Sequence, residues 1–112
     1  MRYQPFMTNY EIAWIAGLFE GEGCFFTNVI RKRGKEYRYP CATIKMTDKD
    51  ILDRVNKLVP GGTLKTNRLV PGEKQSWTWR IHGKLLTEQF YNDIKNWLGQ
   101  RRVQQANKVL GY

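Results

Sequence analysis

Few residues in this chain have the types and spacing to do chemistry. Two carboxylates, Glu20 and Glu22, flank Gly21 at the end of the apolar run "IAGLFEGEG", Ile15–Gly23. A helix ending there turns its negative pole toward both of them, so the charges need a reason. Arg31, Lys32, Arg33, Lys35 and Arg38 crowd into "RKRGKEYR", which suits phosphate contact, since each neutralised phosphate releases counterions. The lone histidine, His82, has no partner in the sequence and reads as a strand-end or nucleic-acid contact. Cys24 and Cys41 form neither a metal set nor a disulfide framework and read as packing thiols on neighbouring strands.

These residues belong to a single domain, 1–112, in which 19 Lys and Arg face 10 Asp and Glu for a formal charge of +9. Such a surplus on a small body points to a polyanionic partner, with nucleic acid foremost. No stretch approaches the ~20 apolar residues of a membrane span, and "MRYQPFMTNYE" lacks the apolar core of a signal peptide. The expectation is a soluble, intracellular protein.

Seven elements and a short terminal helix must position the chemistry. Thr8 or Asn9 caps a helix carrying Glu11, Ile12, Ile15, Ala16 and Phe19, which Gly21 and Gly23 end. "CFFTNVIR" and "YRYPCATIKMT" are strands of a hairpin about "KRGKE", with Pro40 either interrupting the second or turning its nitrogen outward. Thr47 or Asp48 opens a second helix, with Ile51, Leu52, Val55, Leu58 and Val59 on one face and a stop at Pro60 and Gly61. "GTLKTNRL" and "QSWTWRIH" make a second hairpin, "KLLTEQFYNDIKNWL" a third helix, and the basic tail a short terminal one. The order α-β-β-α-β-β-α predicts an α+β fold, a four-stranded antiparallel sheet with its helices on one face.

Alternation along the strands shows what the other face carries. Trp77, Trp79 and Ile81 alternate with Ser76, Thr78, Arg80 and His82; Ala42, Ile44 and Met46 with Tyr37, Tyr39, Cys41, Thr43 and Lys45; Leu64 and Thr66 with Lys65 and Asn67. With Asn28 assigned outward, the open face mixes cations with hydrogen-bonding side chains, a set suited to base edges in the major groove. The candidate DNA contacts are therefore Asn28, Thr43, Lys45, Lys65, Asn67, Ser76, Thr78 and Arg80, together with the five hairpin cations.

Ala13, Gly17 and Gly21 recur every fourth residue and leave one stripe of the first helix nearly bare. Glycine within a helix costs about 0.5–1 kcal/mol relative to alanine, and such a stripe lets two helix backbones approach. No other helix offers a matching stripe, so the expected partner is the same helix of a second subunit.

Ile15-Ala16-Gly17-Leu18-Phe19-Glu20-Gly21-Glu22-Gly23 resembles the motif of the LAGLIDADG homing endonucleases. The element order, the polar sheet face and a "QAN" segment (Gln105, Ala106, Asn107) extend the likeness over nearly the whole chain. One motif copy implies the homodimeric class, with paired motif helices at the interface (Ala13, Ala16, Gly17, Glu20 and Gly21 here) and two sheets saddling a long near-palindromic DNA target. The resemblance implies hydrolysis of phosphodiester bonds with Mg²⁺ or Mn²⁺, leaving short 3′ overhangs. The acidic residue carried onto the metal-binding position is Glu22, while Glu20 holds the helix end and the turn into the first strand. Arg102, with Arg101 as the alternative, matches the basic residue assisting the chemistry, and Thr47 matches a water-ordering polar residue. Two departures stand out: the family more often has aspartate where Glu20 and Glu22 stand, and arginine cannot serve as a general base near neutral pH. A non-catalytic nucleic-acid-binding protein on the same scaffold, an RNA maturase or a DNA-binding regulator, is the alternative function.

Overall fold

The computed structural model describes residues 7–112. Thr8 caps the first helix, α1 (Asn9–Glu22), reciprocally: its Oγ1 accepts the Glu11 N–H at 3.2 Å, and Glu11 Oε1 accepts the Thr8 N–H at 2.8 Å. Ile15, Ala16 and Phe19 bury one side of α1 in the core. The chain then enters β1 (Gly23–Lys32) directly. Gly23 is required there, because a Cβ would run into the Phe19 ring.

β1 pairs antiparallel with β2 (Lys35–Met46) through a two-residue turn in which Arg33 and Gly34 both have positive φ, 53° and 75°. That geometry matches the twist of the strands. Pro40 does not interrupt β2. Its carbonyl accepts the Gly83 N–H at 2.8 Å and the Thr87 hydroxyl at 3.1 Å, on the side where the next strand has ended, so the missing N–H removes no ladder bond.

α2 (Lys49–Leu58) buries Leu52 and Val55 and is followed by β3 (Thr63–Thr66) and β4 (Trp77–His82). β3 is only four residues long, so the second hairpin is joined by a long loop, and the sheet order is β1-β2-β4-β3, all antiparallel. α3 (Lys84–Ile94) ends earlier than its periodicity predicts, giving way to a 3-10 turn at Lys95–Trp97.

The tail is a full helix, α4 (Gln100–Leu110), with Arg102, Ala106 and Leu110 buried at every fourth residue. It packs along β1, where Gln105 Oε1 accepts the Phe25 N–H at 3.0 Å on the open edge of that strand. Helices and sheet meet over an aromatic cluster: the Phe19 ring lies 4.7 Å from Phe25 and 5.3 Å from Phe90, and Phe90 lies 5.4 Å from Trp79. Among the described residues, no helix is long and apolar enough to cross a membrane.

Candidate active site and nucleic-acid interface

The motif glutamates have separate surroundings. Glu20 reaches across to the start of α4, accepting the Gly99 N–H through Oε1, with Oε2 3.9 Å from Arg102 Nε. It therefore secures the junction of α1 with α4, not the turn into β1. Arg102 Nη1 also lies 3.4 Å from Gln105 Oε1. The guanidinium expected to assist chemistry is thus nearly buried, donating from Nη1 to Gln105 and facing Glu20 at ion-pair distance through an Nε that makes no hydrogen bond among the described residues, whereas Arg101 is exposed.

Glu22 is exposed and has no hydrogen bond or ion pair among the described residues, and the last turn of α1 carries no basic residue to offset it. Gly23 pairs with Ile44, so Glu22 and Lys45, the next residue of each segment, emerge at the same end of the sheet. Thr47, exposed just past β2, lies at that end too. Among the described residues, no group of three His, Cys, Asp or Glu could hold a metal. A lone, unpartnered carboxylate nonetheless fits Mg²⁺, which keeps several waters and shares its shell with substrate phosphates.

Beside Glu22 runs the bare stripe of α1. A Cβ at Gly17 or Gly21 would meet no heavy atom within 4 Å, so nothing within the protomer calls for glycine. Tyr10, 89% exposed, lies on the same side of the helix. Ala16 does not: it is fully buried in the core, because helical spacing puts it with Ile12 and Phe19, and it cannot belong to an interface on the exposed stripe.

The outer face of the sheet is ordered in rows by strand register. Lys45, Thr78 and Lys65 form one row, and Cys24, Thr43, Arg80 and Thr63 the next. Phe26, Cys41 and His82 follow, then Asn28 beside Tyr39. Asn67 Nδ2 donates to Ser76 Oγ at 3.1 Å and to Thr78 Oγ1 at 2.9 Å, fixing the β3–β4 end. The Arg80 guanidinium lies 5.3 Å from the centre of the Phe26 ring, with Nη2 3.6 Å from Cys41 Sγ. His82 stacks on Tyr39 at 4.9 Å, with Nε2 3.4 Å from Asn28 Nδ2. His82 lies on this surface as fully as Asn28 does, at the strand end where its alternation with Thr78 and Arg80 puts it. Both cysteines are free thiols, and Cys24 lies opposite Thr43, not opposite Cys41.

The same parity divides the hairpin cations. Lys32 and Lys35 extend the outer face, with Arg33 at the turn; these residues and Tyr37 line a cavity of about 380 Å³. Arg31 and Arg38 alternate to the reverse face, where Nη2 of Arg31 lies 3.1 Å and Nε of Arg38 2.7 Å from the Glu36 carboxylate. They stand apart from the outer sheet face to which their proximity in sequence assigns them.

The architecture matches solved structures over nearly its full length. The homing endonuclease I-CvuI, solved with a DNA target in the presence of Mg, superposes with a TM-score of 0.74 at 20% identity, over 91% of this chain and 64% of that one. The fold is that of the LAGLIDADG homing endonucleases. The archaeal intron-encoded I-Vdi141I, in complex with DNA, matches this LAGLIDADG fold at 0.70 and 14% identity, over 92% and 68% of the two chains. The LAGLIDADG homing endonuclease I-GzeII, also with its DNA target, matches at 0.67 and 14% identity, over 89% of this chain and 35% of that one. Neither a protein-family model nor a curated protein sequence matches the chain. The chain thus shares the LAGLIDADG architecture while spanning less than two thirds of the length of I-CvuI.

Proposed function

We propose that this protein is a site-specific, divalent-metal-dependent DNA endonuclease acting as a homodimer. Two polar sheets lie along the major groove of a long near-palindromic target, and one phosphodiester bond in each strand is hydrolysed, leaving short 3′ overhangs. The observation that carries this reading is the Glu22 carboxylate, exposed and unpartnered at the end of the helix whose outer stripe is bare. Close approach of two such helices through Ala13, Gly17 and Gly21 brings two Glu22 carboxylates together at the two-fold axis, where like charges require a cation between or beside them.

Glu22 is the residue that would hold Mg²⁺ or Mn²⁺. When bound, such an ion supplies Lewis acidity at a phosphate oxygen and acidifies a water to serve as nucleophile. Lys45 neutralises a nearby phosphate, and the Thr47 hydroxyl orders water at the same end of the sheet. Arg102 contributes as a fixed positive charge, acting through Glu20 to hold the start of α4 against the motif helix. The outer rows of Asn28, Thr43, Lys65, Asn67, Ser76, Thr78 and Arg80 read base edges, and Lys32, Arg33 and Lys35 bind flanking phosphates.

The test uses a duplex selected from a randomised library by binding to the protein. Glu22→Gln should bind it with wild-type affinity and neither nick nor cut it at any Mg²⁺ or Mn²⁺ concentration. Retained cutting removes Glu22 from the mechanism. One observation favours a non-catalytic nucleic-acid-binding protein instead, namely the commitment of Arg102 to Glu20 and Gln105. Wild-type protein that binds its selected duplex but never nicks it decides for that alternative.

A further inference from the structure

Beyond Asn28 the reading face changes character. Ile30 and Tyr37 face each other across β1 and β2 and are 40% and 42% exposed. Among the described strand residues on this face, they are the exposed large apolar ones. Lys32, Arg33 and Lys35 line a cavity with Tyr37 just beyond the pair, and none of these three has an ion-pair partner among the described residues, unlike Arg31 and Arg38 on the reverse side. The core begins several residues away, so packing does not call for an apolar pair here.

A DNA major groove complements this arrangement in both respects. Its phosphate rims match the three cations, and the apolar group its base edges present is the C5-methyl of thymine. We infer that Ile30 and Tyr37 form a thymine-methyl reader at the outer end of each half-site, making them specificity-determining residues. This rests on the groove-binding reading above. Ile30 lies eight residues beyond Glu22 along extended chain. At about 3.3 Å per residue that is about 26 Å, or about eight base-pair steps of ~3.4 Å from the cut.

The experiment replaces each thymine of a library-selected duplex, one at a time, by deoxyuridine, which removes only the methyl. Wild-type protein should lose about threefold to fivefold in affinity at one or two thymines roughly seven to nine steps outboard of the centre, and be indifferent elsewhere. Ile30→Ser and Tyr37→Ser should bind thymine and deoxyuridine duplexes equally at those positions. Circular dichroism checks that both variants keep the wild-type fold, as their exposure predicts. Tight binding with no methyl sensitivity at the outer positions overturns this inference and leaves the endonuclease reading standing. Methyl sensitivity that persists in both serine variants also overturns it. Failure to select any duplex overturns both readings.

Discussion

Glu20 and Glu22 are two residues apart on one helix, yet replacing them should have opposite consequences. Glu20→Ala removes the acceptor of an N–H at the start of α4, worth about 1 kcal/mol by analogy with helix caps. It also leaves the Arg102 side chain, 10% exposed, without its anion. The Arg102 Nε makes no hydrogen bond among the described residues even in the wild type, so what is lost is the 3.9 Å counter-ion of a nearly buried charge, which costs about 1–3 kcal/mol. Because the Glu20 side chain is itself 38% exposed, water screens part of this, and the net loss should be about 1.5–3 kcal/mol. For a chain of 112 residues, 1 kcal/mol moves the melting midpoint by about 4 °C, so the midpoint should fall by about 6–12 °C. Glu22→Gln breaks no bond and relieves a negative charge at a helix C-terminus, which should leave stability unchanged or raise it by about 0.3–1 kcal/mol. Thermal unfolding is followed by circular dichroism at one protein concentration, with chelator and without DNA, because dimerisation and ligands add stability by mass action. If Glu20→Ala melts with the wild type, or if Glu22→Gln is the variant that falls, the division of labour argued for the two carboxylates is wrong.

Gly17→Leu should convert the dimer to monomer, read by light scattering at micromolar concentration; a wild-type mass of one chain would remove the dimer from the proposal. Affinity for DNA should fall by ~10³–10⁵ between 50 and 200 mM salt if about six to ten phosphates are contacted. Lys32→Ala should lower the slope of log K against log salt by about 1, whereas Arg31→Ala should barely change it, since Arg31 is paired with Glu36 on the reverse face. Equal effects of the two would refute the assignment of faces. The Tyr112 hydroxyl donates to Glu88, which holds its pKa up to about 12 against an ordinary 10. The stability it contributes is complete below pH 10 and is lost as pH rises from about 10 to 12, the unfolded chain ionising first. Tyr112→Phe should therefore flatten the alkaline decline of the unfolding midpoint, and an unchanged decline would rule out this contact as its source.

Where local periodicity decides, the sequence is a sufficient guide. Trp77, Trp79 and Ile81 settle the two faces of the sheet, Thr8 and Glu11 set the start of α1, and the element order leads to the α+β architecture. Partners distant in the chain are another matter. Gly99 lies 79 residues from Glu20, and no spacing rule couples them. Arg31 and Arg38 illustrate a different limit: composition counts them with Lys32 and Lys35, while the two-residue period of a strand separates them. Ala16 shares small size with Ala13 and Gly17, but its helical angle puts it in the core. Pro40 is ambiguous in sequence because only the third strand to join the sheet determines which side of β2 is left unpaired.

Gln105 has a consequence for how copies of this protein meet in a crowded solution. An edge strand with unpaired N–H and C=O groups is a template for another chain's strand and a route to fibrils. Here α4 lies along β1 and Gln105 occupies one of its donors, while the opposite edge, β3, is too short to seed a long ladder. Growth by strand addition is blunted at both ends of the sheet. The proposed pairing through the bare stripe of α1, which would close after two copies, therefore faces little competition from strand addition, and the polar sheet face stays exposed.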